Sequence, residues 1–376
     1  MNKKKICWIT PDCFADCDIP YVPLLLERYT ICWVVLLPVK ARYKEDDFRK
    51  IEKEHCNLKI EVIHSTIRER NPYKLFEYLK INSIICRENP NVVYINTAPH
   101  TPYILPVFLR LPKSKTIVAA HQGEIRYGFR FKLMLKIFRK IAYKNIKYAN
   151  LFSESEANRY HILHPHVHIF QFVLGLKDLG KPTNERPLVD NHTPIKFMSF
   201  GAIVRAKNID LLIDAACKLY EDGYKNFKVS INGKCDEWDY YKTHIKYPEI
   251  FETDIRMIPN EDIPNLFNGS HYFVQPYKQV TQSGPMKLAF RYNLPDICSD
   301  LPGLKSEIVE GVNGYIFKHE NVDDLVRVMK KCIDTHIAQY EDMRVRMAEY
   351  TDKNYSYKAM VDNYTKMFEA VIEQNN

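Results

Sequence analysis

The chain has 376 residues, 46% hydrophobic and 27% charged with only 12 glycines, which excludes disordered, collagen-like and low-complexity classes. That length exceeds what one hydrophobic core comfortably serves and predicts two domains. The net charge of +8 is uneven: residues 1–180 hold 29 Lys and Arg against 17 Asp and Glu, and the remainder 25 against 29. The first half is therefore the part expected to meet an anionic surface or substrate.

The opening "KKKICWIT" loses its apolar run at Pro11 and Asp12, unlike a signal peptide, so a cytoplasmic location is expected. No window approaches the roughly 18–20 apolar residues of a spanning helix, so any membrane contact is expected to be peripheral. Ten cysteines lie scattered without a C-x-x-C pair, mostly in apolar runs, and read as reduced thiols.

In chain order, "KICWIT" (5–10), "YTICWVVLL" (29–37), "LKIEVIH" (58–64), "NVVYINT" (91–97), "TIVAAH" (116–121) and "NLFSES" (150–155) read as strands. Helix-length segments such as "YKLFEYLKINSIICREN" lie between several of them. The alternation predicts a doubly wound parallel sheet. Residues 179–194, inside the proline-containing stretch "KDLGKPTNERPLVDNHTP", read as a linker. The alternation then restarts: strands at "IKFMSFG", "FKVSING", "IRMIP", "HYFVQPY", "LPDICSD" and "GYIFK", with helices between and after them.

The expected organisation is an N-terminal Rossmann-like acceptor domain over 1–178, the linker, a donor domain over 195–350, and a helix over 351–376 crossing back to the first domain. Two such lobes would face a cleft at their strand carboxyl ends.

Two loops of the second lobe point to a phosphate. After the strand ending at Gly201, Arg205 and Lys207 precede a helix, an arrangement that grips phosphate by charge and backbone N–H together. The same two residues also suit a solvated basic loop. In "QVTQSGPMKLAF" (279–290), Ser283 and Gly284 open a helix and present N–H groups, with glycine allowing close approach. Together the loops form a candidate diphosphate cradle.

A third element, "NLPDICSDLPGLKSEIVEGVNGYIF", places Glu307 at the opening of a helix, followed by an Asn-Gly turn before the last strand. This succession, with Gly201 and Lys207 at the expected spacing and "VQPYKQVTQSG" before it, resembles the donor lobe of GT-B glycosyltransferases, specifically family 4 of the group 1 enzymes, over about 120 residues. The resemblance implies a retaining, metal-independent transferase that uses a nucleotide-diphosphate sugar as co-substrate and no cofactor. It implies donor contacts at Gly201, Ser283, Gly284 and Glu307, and catalytic roles for His121, Arg205, Lys207 and Gln282.

The chain departs from that family where its paired glutamates would fall, on Gln282 and Ala289, in a "Q-S-G" form. Ala289 removes the carboxylate expected at the ribose and leaves Glu307 as the acid of that lobe.

In the first lobe, His121 stands at a strand's carboxyl end, where the family commonly has a histidine near the sugar. A neutral imidazole there bonds a hydroxyl, or simply backbone. Glu124, Asp16 and Asp18 are the acids expected at an acceptor; Asp16 and Asp18 serve equally as solvated loop charges.

The cluster "HILHPHVH" invites a metal, but no carboxylate or cysteine accompanies it, and no metal is expected. Residues 126–147 carry eight cations and no acid, interleaved with apolar residues. They read as a helix for an anionic membrane surface, or as one packed on the sheet. Nucleic acid is not expected, because no binding motif accompanies the charge.

The expected function is transfer of a hexose-type sugar from a nucleotide-diphosphate sugar to a glycan hydroxyl, with a lipid-linked acceptor. The alternative is a non-catalytic nucleotide-sugar-binding or membrane-associated scaffold, motivated by the missing glutamates. A nicotinamide-dependent enzyme is disfavoured because no G-x-G-x-x-G follows a strand.

Overall fold

The computed structural model describes residues 3–69, 71–121, 132–144 and 146–375. The chain divides into two compact units, Met1–Gly175 with Tyr357–Asn376, and Leu176–Ser356.

The first unit is built on a seven-stranded parallel sheet. Its strands are β1 (Lys4–Pro11), β2 (Tyr29–Leu37), β3 (Leu58–His64), β4 (Val92–Ile95), β5 (Thr116–Ala119), β6 (Tyr148–Leu151) and β7 (His168–Gln171). They run in the order β3-β2-β1-β4-β5-β6-β7.

Apolar runs on β1 and β2 are continuous because helices cover both faces of the sheet. Trp8, opposite Trp33 and Tyr94 in register, faces one core, and its neighbours Cys7 and Ile9 face the other. The final helix, Tyr357–Glu373, adds Met367, Phe368, Val371 and Ile372 to the Trp8 core. Helices Lys74–Glu88 and Leu105–Arg110 cover the opposite face through Ile81, Val107 and Phe108. Ser356, extended at φ −56° and ψ 150°, separates the final helix from the one before it.

The second unit repeats the arrangement with β8 (Ile195–Phe200), β9 (Phe227–Asn232), β10 (Phe251–Asp254), β11 (Tyr272–Gln275), β12 (Asp296–Ser299) and β13 (Gly314–Phe317). Their order is β10-β9-β8-β11-β12-β13, all parallel. In both units the order reverses direction beside the first strand, between β1 and β4 and between β8 and β11. The crevice outside the strand carboxyl ends at such a point is where doubly wound sheets take ligands.

β6 begins two residues before "NLFSES" and ends at Leu151, and two edge strands differ further from the sequence reading. β7 falls on "HIFQ", beside the histidine cluster, and β10 falls on "FETD" rather than "IRMIP". Both are edge strands with little buried surface, so neither carries a strong apolar signal.

Residues 179–194 contain no helix or strand, yet they are bonded to the second unit. Thr183 donates its N–H and hydroxyl to Asn265 Oδ1 at 2.7 and 3.2 Å, and Arg186 donates to the Tyr292 carbonyl at 2.6 Å. Side chains supply the partners that a strand ladder would otherwise give. Among the described residues no helix is long and apolar enough to cross a membrane.

Candidate functional site

At the second unit's reversal point, β8 delivers the chain to Gly201 at φ 103°, a left-handed position that favours glycine. A tight turn, Arg205–Lys207, follows, and Asn208 (φ 52°) leads into helix Ile209–Glu221. The turn is pinned where Lys278 donates its N–H to the Ala206 carbonyl at 2.9 Å.

Lys207 folds back along the strand end, and its Nζ donates to the Phe200 carbonyl at 2.9 Å. The ammonium lies 5.3 Å from the Tyr277 ring centre. No carboxylate stands within ion-pair distance of it among the described residues, and burial pushes its pKa down to about 8. A Cβ at Gly201 would sit 2.7 Å from that Nζ and 3.8 Å from Pro285 Cγ. Glycine is what lets the ammonium pass there, beside the start of the next helix.

That helix, Gly284–Arg291, is capped by Ser283, whose Oγ accepts from the Met286 N–H at 3.2 Å. The same hydroxyl donates to the Gln275 side-chain carbonyl, and Gln275 Nε2 donates to Asp296 Oδ2 at 2.5 Å. Gln275 and Asp296 are wholly buried, so the helix start is held by a chain of bonds reaching into β11 and β12. The first-turn N–H groups of a helix lack partners within it and carry its positive end. Lys207 therefore adds a cation to a place already suited to anions.

The remaining donor-lobe expectations fare differently. Arg205 points away from Lys207: its guanidinium pairs with Glu237 at 2.8 Å and stacks 3.5 Å over Tyr240, half-exposed. Glu307, expected as the lobe's available acid, is bound to the wholly buried Lys287 and accepts from the Tyr355 hydroxyl at 2.5 Å. A buried ammonium demands a carboxylate, and Glu307 supplies it. Ala289 is wholly buried among Met198, Phe273 and Leu294, an apolar setting. Gln282 is half-buried in the loop before Ser283.

One residue that the sequence reading passed over stands at the same helix start. A Cβ at Gly284 would lie 2.9 Å from Lys177 Nζ.

At the first unit's reversal point the chemistry is neutral to acidic. His121 Nε2 lies 2.6 Å from Asn96 Oδ1, and Asn96 Nδ2 donates to both Asp18 oxygens at 3.1 and 2.9 Å. An amide that donates to a carboxylate accepts through its oxygen, which assigns the Nε2–H form to the imidazole. Asp18 also accepts from Thr10 Oγ1 at 2.6 Å, and Thr10 accepts from Trp33 Nε1 at 2.8 Å. The imidazole ring lies stacked on Phe14, with centres 3.8 Å apart, and against Phe152 at 4.7 Å.

Asp18 is 1% exposed, and burial pushes its carboxyl up to about 6 against the bonds from Thr10 and Asn96. Expected at an acceptor, Asp18 is bonded to Thr10 and Asn96, and through Asn96 it is linked to His121. Asp16 is also buried, beside Cys17 Sγ at 3.5 Å. Asp12 accepts from the Arg42 and Tyr43 N–H groups at 3.0 and 3.1 Å, which fixes the loop after β2. Glu124 lies outside the described residues.

No group of three metal-ligating side chains occurs among the described residues. His164 packs against Tyr143 and Tyr160, and His168 on β7 packs against Phe170. None of the ten cysteines is in a disulfide. Of the basic stretch 126–147, the described part forms helix Lys132–Tyr143.

Residues 180–354 match the family model described as glycosyl transferases group 1. No curated protein matches the chain. Among solved structures it is similar to a sucrose-phosphate synthase from Thermosynechococcus elongatus, with a TM-score of 0.74 and 10% identity over 99% of this chain and 100% of that one. A glycosyltransferase from Rickettsia africae gives 0.71 and 14% over 99% of both chains. Anabaena HepE, solved in complex with UDP, gives 0.70 and 11% over 98% of this chain and 100% of that one. The chain thus has the GT-B fold of two Rossmann-like α/β domains, and its second unit is similar to the group 1 glycosyltransferase domain.

Proposed function

We propose that the protein is a retaining glycosyltransferase that moves a hexose-type sugar from a nucleoside-diphosphate sugar to a hydroxyl of a lipid-linked glycan. The observation that carries this reading is the Lys207 ammonium, without a counter-ion among the described residues, beside the start of the Gly284–Arg291 helix at the reversal point of the sheet. Two converging positive features in a protein lacking their anion call for one from outside. The group 1 match over this unit and the UDP bound by HepE favour a nucleotide diphosphate.

Stabilising the departing diphosphate is then the main catalytic contribution. The acceptor oxygen bonds to the anomeric carbon on the face from which the C–O bond to the β-phosphate breaks. The acceptor's proton passes to the leaving phosphate oxygen, so no enzymatic base is required at Gln282. Lys207 and the helix N–H groups supply positive charge without a metal, and activity is expected to persist in chelator. His121, held by Asn96, is the hydroxyl-binding group of the first unit.

The test is turnover of a panel of nucleotide sugars with the full chain. Lys207→Ala should lower it at least about tenfold with the fold intact. Near-normal activity refutes the cradle, and saturable binding without turnover in the wild type supports the scaffold alternative.

A membrane-borne acceptor is favoured by helix Lys132–Tyr143. Its Leu133, Ile137 and Ile141 form a stripe spaced by four residues, 74%, 49% and 42% exposed, while Leu135, Ala142 and Tyr143 are buried on the other side. Lys136 and Lys140 are exposed beside the stripe. Each cation near an anionic leaflet contributes about 1 kcal/mol. Co-sedimentation with phosphatidylglycerol vesicles should fall in Leu133→Glu/Ile137→Glu; equal binding by the variant removes this part of the reading.

A further inference from the structure

Tyr277 stands just beyond β11, at the second unit's reversal point, and its carbonyl accepts from Ser299 Oγ at 2.9 Å, which ties it to β12. The side chain is buried, and its hydroxyl has no hydrogen-bond partner among the described residues. Burial, and then the charge of Asp296, push that hydroxyl's pKa up, so the ring stays neutral. Lys207 Nζ lies over this ring, 5.3 Å from its centre. Among the described residues the ammonium's one hydrogen bond goes to the Phe200 carbonyl, at 2.9 Å.

An aromatic face attracts a cation through its quadrupole, and more strongly out of water than in it. A carboxylate in that place would hold the lysine harder, but it would neutralise the ammonium and repel a phosphate. A ring holds the ammonium and leaves its charge whole. Charged groups on the elements packed round Lys207 are engaged elsewhere: Lys278 lies 4.0 Å from Glu320, Arg205 pairs with Glu237, Lys234 pairs with Asp236, and Asp296 is bonded to Gln275. Lys177 stands beside Gly284 at the helix start.

We propose that Tyr277 is a positioning residue for Lys207, its ring face holding the ammonium beside the start of the Gly284–Arg291 helix, where the donor's diphosphate is expected. The inference rests on the nucleotide-sugar reading above and adds to it a residue that acts through Lys207 rather than on the substrate. The electron density of the ring, and not its shape or its hydroxyl, then governs how tightly the diphosphate is held. It also governs the pH up to which Lys207 stays charged, because a weaker ring face favours the ammonium less and the proton leaves at lower pH.

The experiment is calorimetric titration of the full chain with UDP, GDP, ADP and CDP across pH. It compares wild type with Tyr277→Phe, Tyr277→Leu and a chain carrying ring-fluorinated phenylalanine at the same position, each with its unfolding midpoint. For whichever diphosphate binds the wild type, Tyr277→Phe should stay within about twofold, whereas the fluorinated ring, close in shape but stripped of its negative face, should weaken binding at least about threefold. Tyr277→Leu should weaken it as much, and in both the fall of affinity with rising pH should begin about half a unit lower or more. Equal affinity and pH profile for Tyr277→Phe and the fluorinated ring overturns the proposal. So does a loss in Tyr277→Phe as large as in Tyr277→Leu, which assigns the effect to the hydroxyl. A loss in Tyr277→Leu alone, with a fallen midpoint, shows a packing role and equally overturns it. If no diphosphate binds the wild type, the donor reading fails and the contact is judged without ligand. The part of the pH dependence of stability that Lys207→Met removes should then move to lower pH with the fluorinated ring, and its staying in place overturns the contact.

Discussion

The two units share one strand order and one reversal point but place opposite chemistry there. In the first, between β1 and β4, Asp18, Asn96 and Thr10 satisfy one another and hold His121. In the second, between β8 and β11, Lys207 donates to the Phe200 carbonyl and has no carboxylate within ion-pair distance among the described residues. The fold fixes where a ligand sits, and the side chains decide which.

Net charge alone does not mark the proposed donor site. The half with the large positive excess carries the acid–amide network, whereas the proposed diphosphate cradle at Lys207 lies in the half with more acids than bases. The first unit's excess includes Lys136, Arg139 and Lys140 on helix Lys132–Tyr143. Acids of the second unit are taken up in pairs such as Glu237 with Arg205 and Glu307 with Lys287, and among the described residues none lies within ion-pair distance of Lys207.

The largest effect that tests this contrast is on stability. Glu307→Ala leaves Lys287 buried without its carboxylate and should cost about 3–5 kcal/mol in denaturant unfolding. A cost below about 1 kcal/mol would return Glu307 to the ligand as an available acid. In the first unit, Asn96→Leu removes two donors from Asp18 and should cost about 1–3 kcal/mol. It should also lower kcat by misorienting His121, whereas an unchanged kcat would make the network purely structural.

Acid–base behaviour separates the units by sign. Asp18 is raised from 3.8 to about 6, so the folded state holds more protons in that window and stability falls as pH rises through it. Lys207 is lowered from 10.5 to about 8, so the unfolded state holds more protons between those values and stability rises with pH there. Unfolding midpoints across pH for wild type, Asp18→Asn and Lys207→Met should show each slope vanish in its own variant. Diphosphate affinity should decline as pH rises through about 8 and Lys207 loses its charge. The smallest effect is expected from Arg205→Ala, less than about threefold on diphosphate affinity, since an exposed pair contributes little. A tenfold loss would return Arg205 to the cradle.

Much of this was legible in the sequence. "YTICWVVLL" and "LKIEVIH" coincide with β2 and β3 because strands buried on both faces read as apolar runs. Ser283 and Lys207 were legible because capping and a glycine-to-helix loop are local patterns. The direction of a long side chain is not local. Arg205 is turned by Glu237 and Tyr240, over 30 residues on, and Glu307 is taken by a lysine 20 residues back. Asp178 and Leu179 sat at the edge of the stretch read as linker, since the residues that hold them, Arg291 and Tyr292, are 113 positions away.

The most direct test of the contrast between the units is a crystal structure of the full chain with the nucleoside diphosphate that binds it. The account predicts phosphate oxygens within hydrogen-bond distance of Lys207 Nζ and of the N–H groups at Ser283 and Gly284. A nucleotide whose phosphates lie instead against His121 and Asn96, with Lys207 still bonded only to Phe200, would contradict it.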